Sequence, residues 1–182
     1  MVLLKLPWGL LRISASFTKN PNQYCFGILT YKNGMHYVFI DYDNLEPSRL
    51  YQDVRNLQIK YCLGDAYVIE SSPQHYHVIV PELVPYHDYL NILTSSSCDP
   101  DFLRNRKYSK YGIKDGVLRF TAKNGILPRG VGVIISPYGS RIEETSEIFK
   151  FLLYVFGGKF PILTKEKRET GLDIVRYGTY GK

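Results

Sequence analysis

Residues 24–43 contain two apolar runs rich in aromatic and β-branched residues, a composition typical of β-strands. Two such runs flank Asn33-Gly34. This dipeptide suits a two-residue type I′ turn, since both turn positions need a positive φ. The pattern therefore predicts a β-hairpin whose second strand ends in "IDYD", residues 40–43.

Residues 44–64 follow with a helical period instead. Asn44 or Ser48 can cap the start of this helix, and Gly64 can end it. The apolar positions that predict its buried face are Leu50, Val54, Leu57 and Tyr61.

Residues 66–82 predict a second hairpin. A β-rich run from Ala66 to Glu70 and another from His75 to Val80 are separated by a short Ser-Ser-Pro turn. Because the two hairpins are joined by one helix, their strands are expected to share a sheet.

The remaining pattern adds helices and single strands. Residues 84–97 predict a short helix, residues 99–115 a basic stretch that is part helix and part loop, and residues 116–122 and 131–137 strands. A further helix is expected after Ser140 as its cap, with Gly157 at its end. One or two short strands are expected in 160–182. The predicted fold class is α+β with a largely antiparallel sheet, in a single domain 1–182 whose motif-bearing core spans about 24–137, with the last helix and tail in 140–182.

Composition narrows the class of protein. The chain has 182 residues, 45% of them hydrophobic, so it can bury a core and is not a disordered protein. The net charge of +6 favours a partner that carries phosphates. Three widely spaced cysteines and no C-x-x-C pair argue against a zinc knuckle or a disulfide framework, which favours an intracellular, cytoplasmic setting. No apolar run is long enough to predict a membrane span, and the glycine-rich motifs of Rossmann and P-loop nucleotide sites are missing.

Two carboxylates end the second strand of the first hairpin. By strand alternation Asp41 and Asp43 point to the same side, with side chains roughly 7 Å apart. Like charges at this spacing repel each other, so the arrangement favours a cation between them. The alternative is a strand that ends in an ordinary turn, where Asp is common.

Two histidines occupy the start of the second strand of the second hairpin. His75 and His77 share a face by the same alternation. Polar residues at the start of an otherwise apolar strand face either a site or a hydrated rim.

Taken together, an apolar strand that ends in Asp-x-Asp, a helix, and a turn with Ser72 and His77 resembles the archaeo-eukaryotic primase (primase-polymerase) superfamily. That superfamily has a Ser-Gly-x-Gly-x-His turn at the second position, and here Pro73 and His75 replace its two glycines. The resemblance covers residues 35–125. It implies a primase-polymerase-like core related to the RRM fold, in a minimal and divergent member.

The resemblance implies metal-dependent nucleotidyl transfer on a single-stranded DNA or RNA template, in plasmid or viral DNA replication. Mg²⁺ or Mn²⁺ would be the cofactor, and nucleoside triphosphates and other replication proteins would be partners. Asp41, Asp43 and His77 would be catalytic. A third acid would join Asp41 and Asp43 at the metal, either Asp99 or Asp115. The nucleotide-binding residues implied are Ser72, His77, Arg119 and Lys123, the last two after Leu118 in a Leu-Arg…Lys pattern.

Two other functions remain open from the sequence. His75-Tyr76-His77 is also a His-hydrophobic-His triplet of the kind found in rolling-circle initiators and relaxases, which attack DNA with a tyrosine. The candidate nucleophiles are Tyr154, Tyr108 and Tyr111. The second alternative is a non-catalytic domain that binds single-stranded nucleic acid through the basic stretch with interleaved tyrosines. Its phosphate-binding residues would be Arg104, Arg106, Lys107 and Lys110.

Overall fold

The structure is a computed structural model that describes residues 11–14, 25–29, 31–32, 35–107, 117–119, 126–142 and 147–163. For the segments before residue 35, for 117–119 and for residue 147 it describes the backbone only. Several residues that the sequence singled out lie outside this description, namely Asp115, Lys110, Lys123, Tyr108 and Tyr111, and so does most of the expected tail.

A five-stranded sheet carries the fold, and its strands follow the order β3-β4-β6-β5-β8. Every neighbouring pair in it is antiparallel. Its strands are β3 Tyr31–Lys32, β4 Met35–Tyr42, β5 Ala66–Ser72, β6 His75–Pro85 and β8 Arg129–Ile134.

A second sheet of three strands has the order β1-β2-β7, with both pairs again antiparallel. Its strands are β1 Leu11–Ser14, β2 Cys25–Leu29 and β7 Val117–Arg119. The described helices are α1 Pro47–Tyr61, α2 Tyr86–Ser95, α3 Pro100–Lys107 and α4 Glu147–Val155. The α+β class with antiparallel sheets is therefore confirmed.

Helices pack on both faces of the five-stranded sheet. On one face the Tyr42 hydroxyl donates to Asp53 of α1, and His36 stacks on Tyr89 of α2 with ring centroids 5.3 Å apart. On the other face Tyr67 makes edge contacts with Phe156 and Phe160, next to α4. The central strands β4, β5 and β6 are accordingly buried for most of their length.

The pairing of the first hairpin is confirmed next to its predicted turn, but the hairpin is shorter than predicted. Lys32 pairs with Met35, which leaves the two residues Asn33 and Gly34 for the loop, as expected. The preceding described segment, β2, belongs to the other sheet and pairs with β1 and β7 instead. The prediction that the hairpin spans residues 24–43 was therefore wrong for Cys25–Leu29, which pairs with β1 and β7 and not with β4.

The second hairpin is confirmed as β5 and β6. Its turn is Pro73-Gln74, and Gln74 has a φ of +62°, as position three of a type II turn requires. The strand β6 continues to Pro85, five residues beyond the predicted end.

The helix positions are confirmed, but some predicted ends are wrong. The helix α1 begins after Glu46 with Pro47 in its first turn, a position that suits proline because no N–H is needed there. It ends at Cys62, which adopts the left-handed conformation, instead of at Gly64. Ser140 does not cap α4, because Arg141 and Ile142 are not helical. Gly157, with a φ of +60°, ends α4 as predicted.

None of the helices in the described ranges is long and apolar enough to cross a membrane.

Candidate functional site

The Asp-x-Asp and His-x-His pairs meet on one face of the five-stranded sheet. Asp41 of β4 lies directly opposite His77 of β6 in the strand register. Since both strands alternate with a period of two, Asp43 and His75 fall side by side one step further out. The row before them, Phe39 and Ile79, is fully buried. The four polar side chains thus form a two-by-two array at the edge of the core.

Each carboxylate in this array contacts an imidazole. The His75 Nδ1 lies 2.6 Å from the Asp43 Oδ1, and the His77 Nε2 lies 3.4 Å from the Asp41 Oδ1. Exposure increases outwards, from 8% for the His77 side chain and 24% for Asp41 to 32% for His75 and 42% for Asp43. The array is therefore open to a ligand from the His75–Asp43 end.

Two loops hold the open end together. The Leu45 N–H donates to the Gln74 carbonyl at 3.1 Å, and the Gln74 side chain donates to Glu46 at 3.1 Å. Asn44 and Gln74 both have a positive φ, which is uncommon outside glycine. These two hydrogen bonds join the segment after β4 to the turn before β6, next to Asp43 and His75.

Ser72 joins the array by its register. It is the last residue of β5 and pairs with His75 across the hairpin, after an irregularity in the register between Glu70 and Ser72. Its neighbour Ser71 is buried, and the Ser71 hydroxyl donates to the His75 carbonyl at 3.3 Å.

Asp99 reaches the site through its backbone. Its N–H donates to the Asp41 carbonyl at 2.7 Å, while its Oδ2 accepts from the Phe102 N–H at 2.8 Å and so caps α3. The loop before it is anchored by Asp53, which accepts from the Ser97 backbone and hydroxyl. The backbone of Asp99 is thus next to that of Asp41, while its carboxylate caps α3; Asp115, the other candidate third acid, lies outside the described residues.

The donor set fits a hard divalent cation in its chemistry. Two carboxylates on one strand can bind such an ion when phosphates and water complete its coordination shell. In the part of the chain that the structure describes, no three His, Cys, Asp or Glu side chains are grouped so as to hold an ion by themselves. The ligand's own phosphates would have to supply the missing contacts.

Two buried groups near the array are held in their neutral forms. Burial raises the pKa of the Cys98 thiol, and neighbouring carboxylates, among them Asp99 and Asp41, raise it further. Burial also raises the pKa of Tyr89, whose hydroxyl donates to the Phe39 carbonyl at 2.8 Å. Burial therefore favours the neutral forms of both groups.

Three of the four basic residues predicted to bind phosphates, Arg104, Arg106 and Lys107, lie on α3. Arg104 is exposed and forms an ion pair with Asp101 at 2.9 Å. The Arg106 guanidinium lies over the Phe102 ring, 4.5 Å from its centroid, and Lys107 is exposed. Arg104 and Lys107 are thus available to solvent, whereas Arg106 also packs against the helix.

The other predicted residues are distributed as follows. Arg119 lies in β7, opposite Gly27 of β2, and its side chain is outside the description. Tyr154 lies on α4 with 73% of its surface exposed. The sequence had identified all four members of the array but not the pairing of Asp43 with His75, nor the hydrogen bond between Leu45 and Gln74. In the sequence, only the Pro73-Gln74 turn and Asn44 indicate that the backbone bends at the two ends of this hydrogen bond.

In comparisons with protein-family models, curated proteins and solved structures, nothing matched this chain.

Proposed function

We propose that the protein is a metal-dependent nucleotidyltransferase of the primase or polymerase type, which acts on a single-stranded nucleic-acid template in plasmid or viral replication. The observation that carries this proposal is the shared sheet face of Asp41, Asp43 and His77. The face is open at one end, which suits a bulky triphosphate substrate. The net charge of +6 is consistent with such a substrate and template.

The roles follow from the donor chemistry of each side chain. Asp41 and Asp43 would hold Mg²⁺ or Mn²⁺. When bound, the cation would neutralise the triphosphate and lower the pKa of the attacking hydroxyl. His77, at the buried end of the array, would donate to a phosphate oxygen, and the Ser72 hydroxyl would do the same from β5. Arg119 and Lys123 would neutralise further phosphate charge.

Purified protein should therefore synthesise or extend primers on a single-stranded template when Mg²⁺ or Mn²⁺ and nucleoside triphosphates are supplied. A metal-loaded, folded protein that incorporates no nucleotide would contradict the proposal. A strand break with a covalent protein–DNA adduct through a tyrosine would favour the nuclease alternative instead.

Asp99 can be tested as the third acid without loss of its cap. Asn caps helices about as well as Asp, so Asp99→Asn should leave α3 in place while it removes a carboxylate charge. If Asp99 binds the cation, nucleotide incorporation should fall by about a hundredfold or more while the melting temperature stays near that of the wild type. Full activity of Asp99→Asn would leave Asp99 as a cap only.

The exposed cations of α3 are expected to bind the template backbone. If Arg104 and Lys107 each neutralise one phosphate, replacing both with Ala should reduce the slope of log affinity against log salt for single-stranded DNA by about 1.4. Arg106 is left in place because it packs on Phe102.

The matched control is the double variant Arg49→Ala/Lys60→Ala, which removes the same charge from exposed positions on α1. Its slope should stay close to that of the wild type. Equal slopes for all three proteins would show that α3 is not the binding surface.

A further inference from the structure

The helix α4 presents an aromatic ring and a lysine to solvent, and a second lysine follows its end. Tyr154 is 73% exposed, more than any other large hydrophobic side chain in the described part of the chain. Lys150 lies one turn earlier on the same side of the helix, and Lys159 comes shortly after the last turn; both are exposed. Packing within the fold therefore does not account for Tyr154.

The end of α4 lies over the same face of the sheet as the array. The Phe156 ring packs so closely on Gly130 of β8 that a Cβ at Gly130 would overlap it. Phe156 also contacts Tyr67 of β5, which shares a sheet face with Ile69 by alternation. The residues paired in one row across the sheet, from β8 to β4, are Gly130, Ile69, His77 and Asp41. The end of α4 and the buried end of the array thus belong to one row.

The separation along this row is short. Gly130 is two strands away from His77, which is about 10 Å at the usual spacing of neighbouring strands. Tyr154 precedes Phe156 by two residues, so it points away from the sheet at this end of α4. At the opposite end of the row, the N–H of Asp99, the cap of α3, donates to the Asp41 carbonyl. The array therefore lies between the start of α3 and the end of α4.

The charge on this surface favours a polyanion as the partner. Residues 148–159 include two lysines and no acidic residue. A second copy that packed through α4 would bring the lysines of both copies together, where like charges repel. A single-stranded nucleic acid offers the complementary groups, because its bases stack on aromatic rings and its phosphates pair with cations.

We propose that Tyr154 stacks on a base of a single-stranded nucleic acid, and that Lys150 and Lys159 contact phosphates on either side of that base. This contact holds the strand beside the array, on the side away from α3. The inference rests on the proposed function for the identity of the strand as a template. It concerns binding alone, which needs neither a cation nor a nucleoside triphosphate.

The test measures the affinity for a labelled single-stranded DNA oligonucleotide by fluorescence anisotropy, without divalent metal. Tyr154→Ala should lower this affinity by about fivefold to a hundredfold, the usual loss when a stacking ring is removed. Tyr154→Phe keeps the ring and should stay within about twofold of the wild type. On duplex DNA of the same sequence Tyr154→Ala should have little effect, because paired bases are already stacked on each other. The same titrations with RNA identify the preferred strand by the larger loss.

Two further variants separate the lysines from the ring. Lys150→Ala/Lys159→Ala should reduce the slope of log affinity against log salt by about 1.4, whereas Tyr154→Ala should leave this slope unchanged. Tyr154→Trp adds a second tryptophan to a chain that has one. Its emission should be quenched by the single strand well beyond the change seen with the wild type.

Tyr138→Ala is the matched control. Tyr138 is also exposed, at 44%, but its hydroxyl donates to the Ile59 carbonyl of α1, on the opposite face of the sheet. Its removal should change the affinity by less than about twofold. Thermal melting of each variant shows whether the fold is kept.

Unchanged single-strand affinity in Tyr154→Ala would overturn the inference, and so would an equal loss in Tyr154→Phe or on duplex DNA. An unchanged salt slope in the double lysine variant would overturn the role of the lysines. If Tyr154→Ala instead alters the oligomeric state in sedimentation and keeps its DNA affinity, α4 is a contact between copies. None of these outcomes contradicts nucleotidyl transfer. Conversely, weaker single-strand binding by Tyr154→Ala alone supports the inference even if the protein incorporates no nucleotide.

Discussion

Asp41→Asn and Asp43→Asn should each abolish metal-dependent nucleotide incorporation, with a rate loss of about a thousandfold or more. Asn keeps the size of the side chain but lacks the negative charge that binds the cation. The expected loss therefore comes from the chemistry and not from the packing. Primer synthesis and primer extension, measured with Mg²⁺ and with Mn²⁺, would give the two rates.

Two variants serve as controls for this result. Asp88→Asn removes an exposed carboxylate on α2, far along the chain from β4, and should keep full activity. Tyr154→Phe removes the hydroxyl of the exposed tyrosine on α4 and should also keep it. If activity survives in both Asp41→Asn and Asp43→Asn, the two aspartates are ordinary residues at the end of a strand and not metal ligands. Activity lost only in Tyr154→Phe, together with a covalent DNA adduct, would favour the nuclease.

The stability of these variants depends on the imidazoles. From the sequence, two carboxylates on one strand face are expected to repel each other. In the structure each of them contacts a histidine, at 2.6 Å for Asp43 and 3.4 Å for Asp41. The repulsion is thus offset locally, and Asn at either position is expected to change the melting temperature little. This makes loss of activity in these variants easier to interpret.

The array illustrates what strand alternation can predict about a site and what it cannot. Alternation alone placed Asp41 with Asp43 and His75 with His77, because both pairs lie within single strands. It could not place one pair opposite the other. That depends on the register of β4 against β6, which more than thirty residues of chain separate, and the register is set by the burial of Phe39 against Ile79.

The first hairpin shows the opposite case. The position of the hairpin was predicted correctly, since Lys32 pairs with Met35 on either side of the predicted Asn-Gly turn, and such a turn signal is local in the sequence. The length of the hairpin was not, because Cys25–Leu29 has two possible partners and pairs with β1 and β7. Nothing within residues 24–43 distinguishes one antiparallel partner from another.

Helix periodicity predicted the apolar face of α1 but missed a polar residue in it. Leu50, Val54 and Leu57 are buried as expected. Gln58 is also fully buried, and its amide donates to the Gly64 and Ile134 carbonyls, both at 2.9 Å. Sequence patterns assign glutamine to the surface by default, because its burial depends on acceptors that only the folded chain brings together.

Gln58→Leu is accordingly expected to be among the most destabilising single substitutions in α1. Leucine fills a similar volume but leaves the Gly64 and Ile134 carbonyls without the amide, and Arg55 without its acceptor on Gln58. Each buried carbonyl that loses its donor costs about 1 to 3 kcal/mol, so the loss at both carbonyls should lower the free energy of unfolding by about 2 to 6 kcal/mol. Urea unfolding followed by circular dichroism would measure this change.

Gln52→Leu is the matched control on the same helix. Gln52 is exposed, and its amide donates to Asn56, one turn further along α1. The same chemical change should therefore alter the free energy of unfolding by no more than about 0.5 kcal/mol. If the two variants unfold at the same urea concentration, the hydrogen bonds of Gln58 do not hold α1 to β8. If only Gln58→Leu is destabilised, the buried amide of Gln58 fixes α1 to the end of β8, and leucine of similar volume does not replace it.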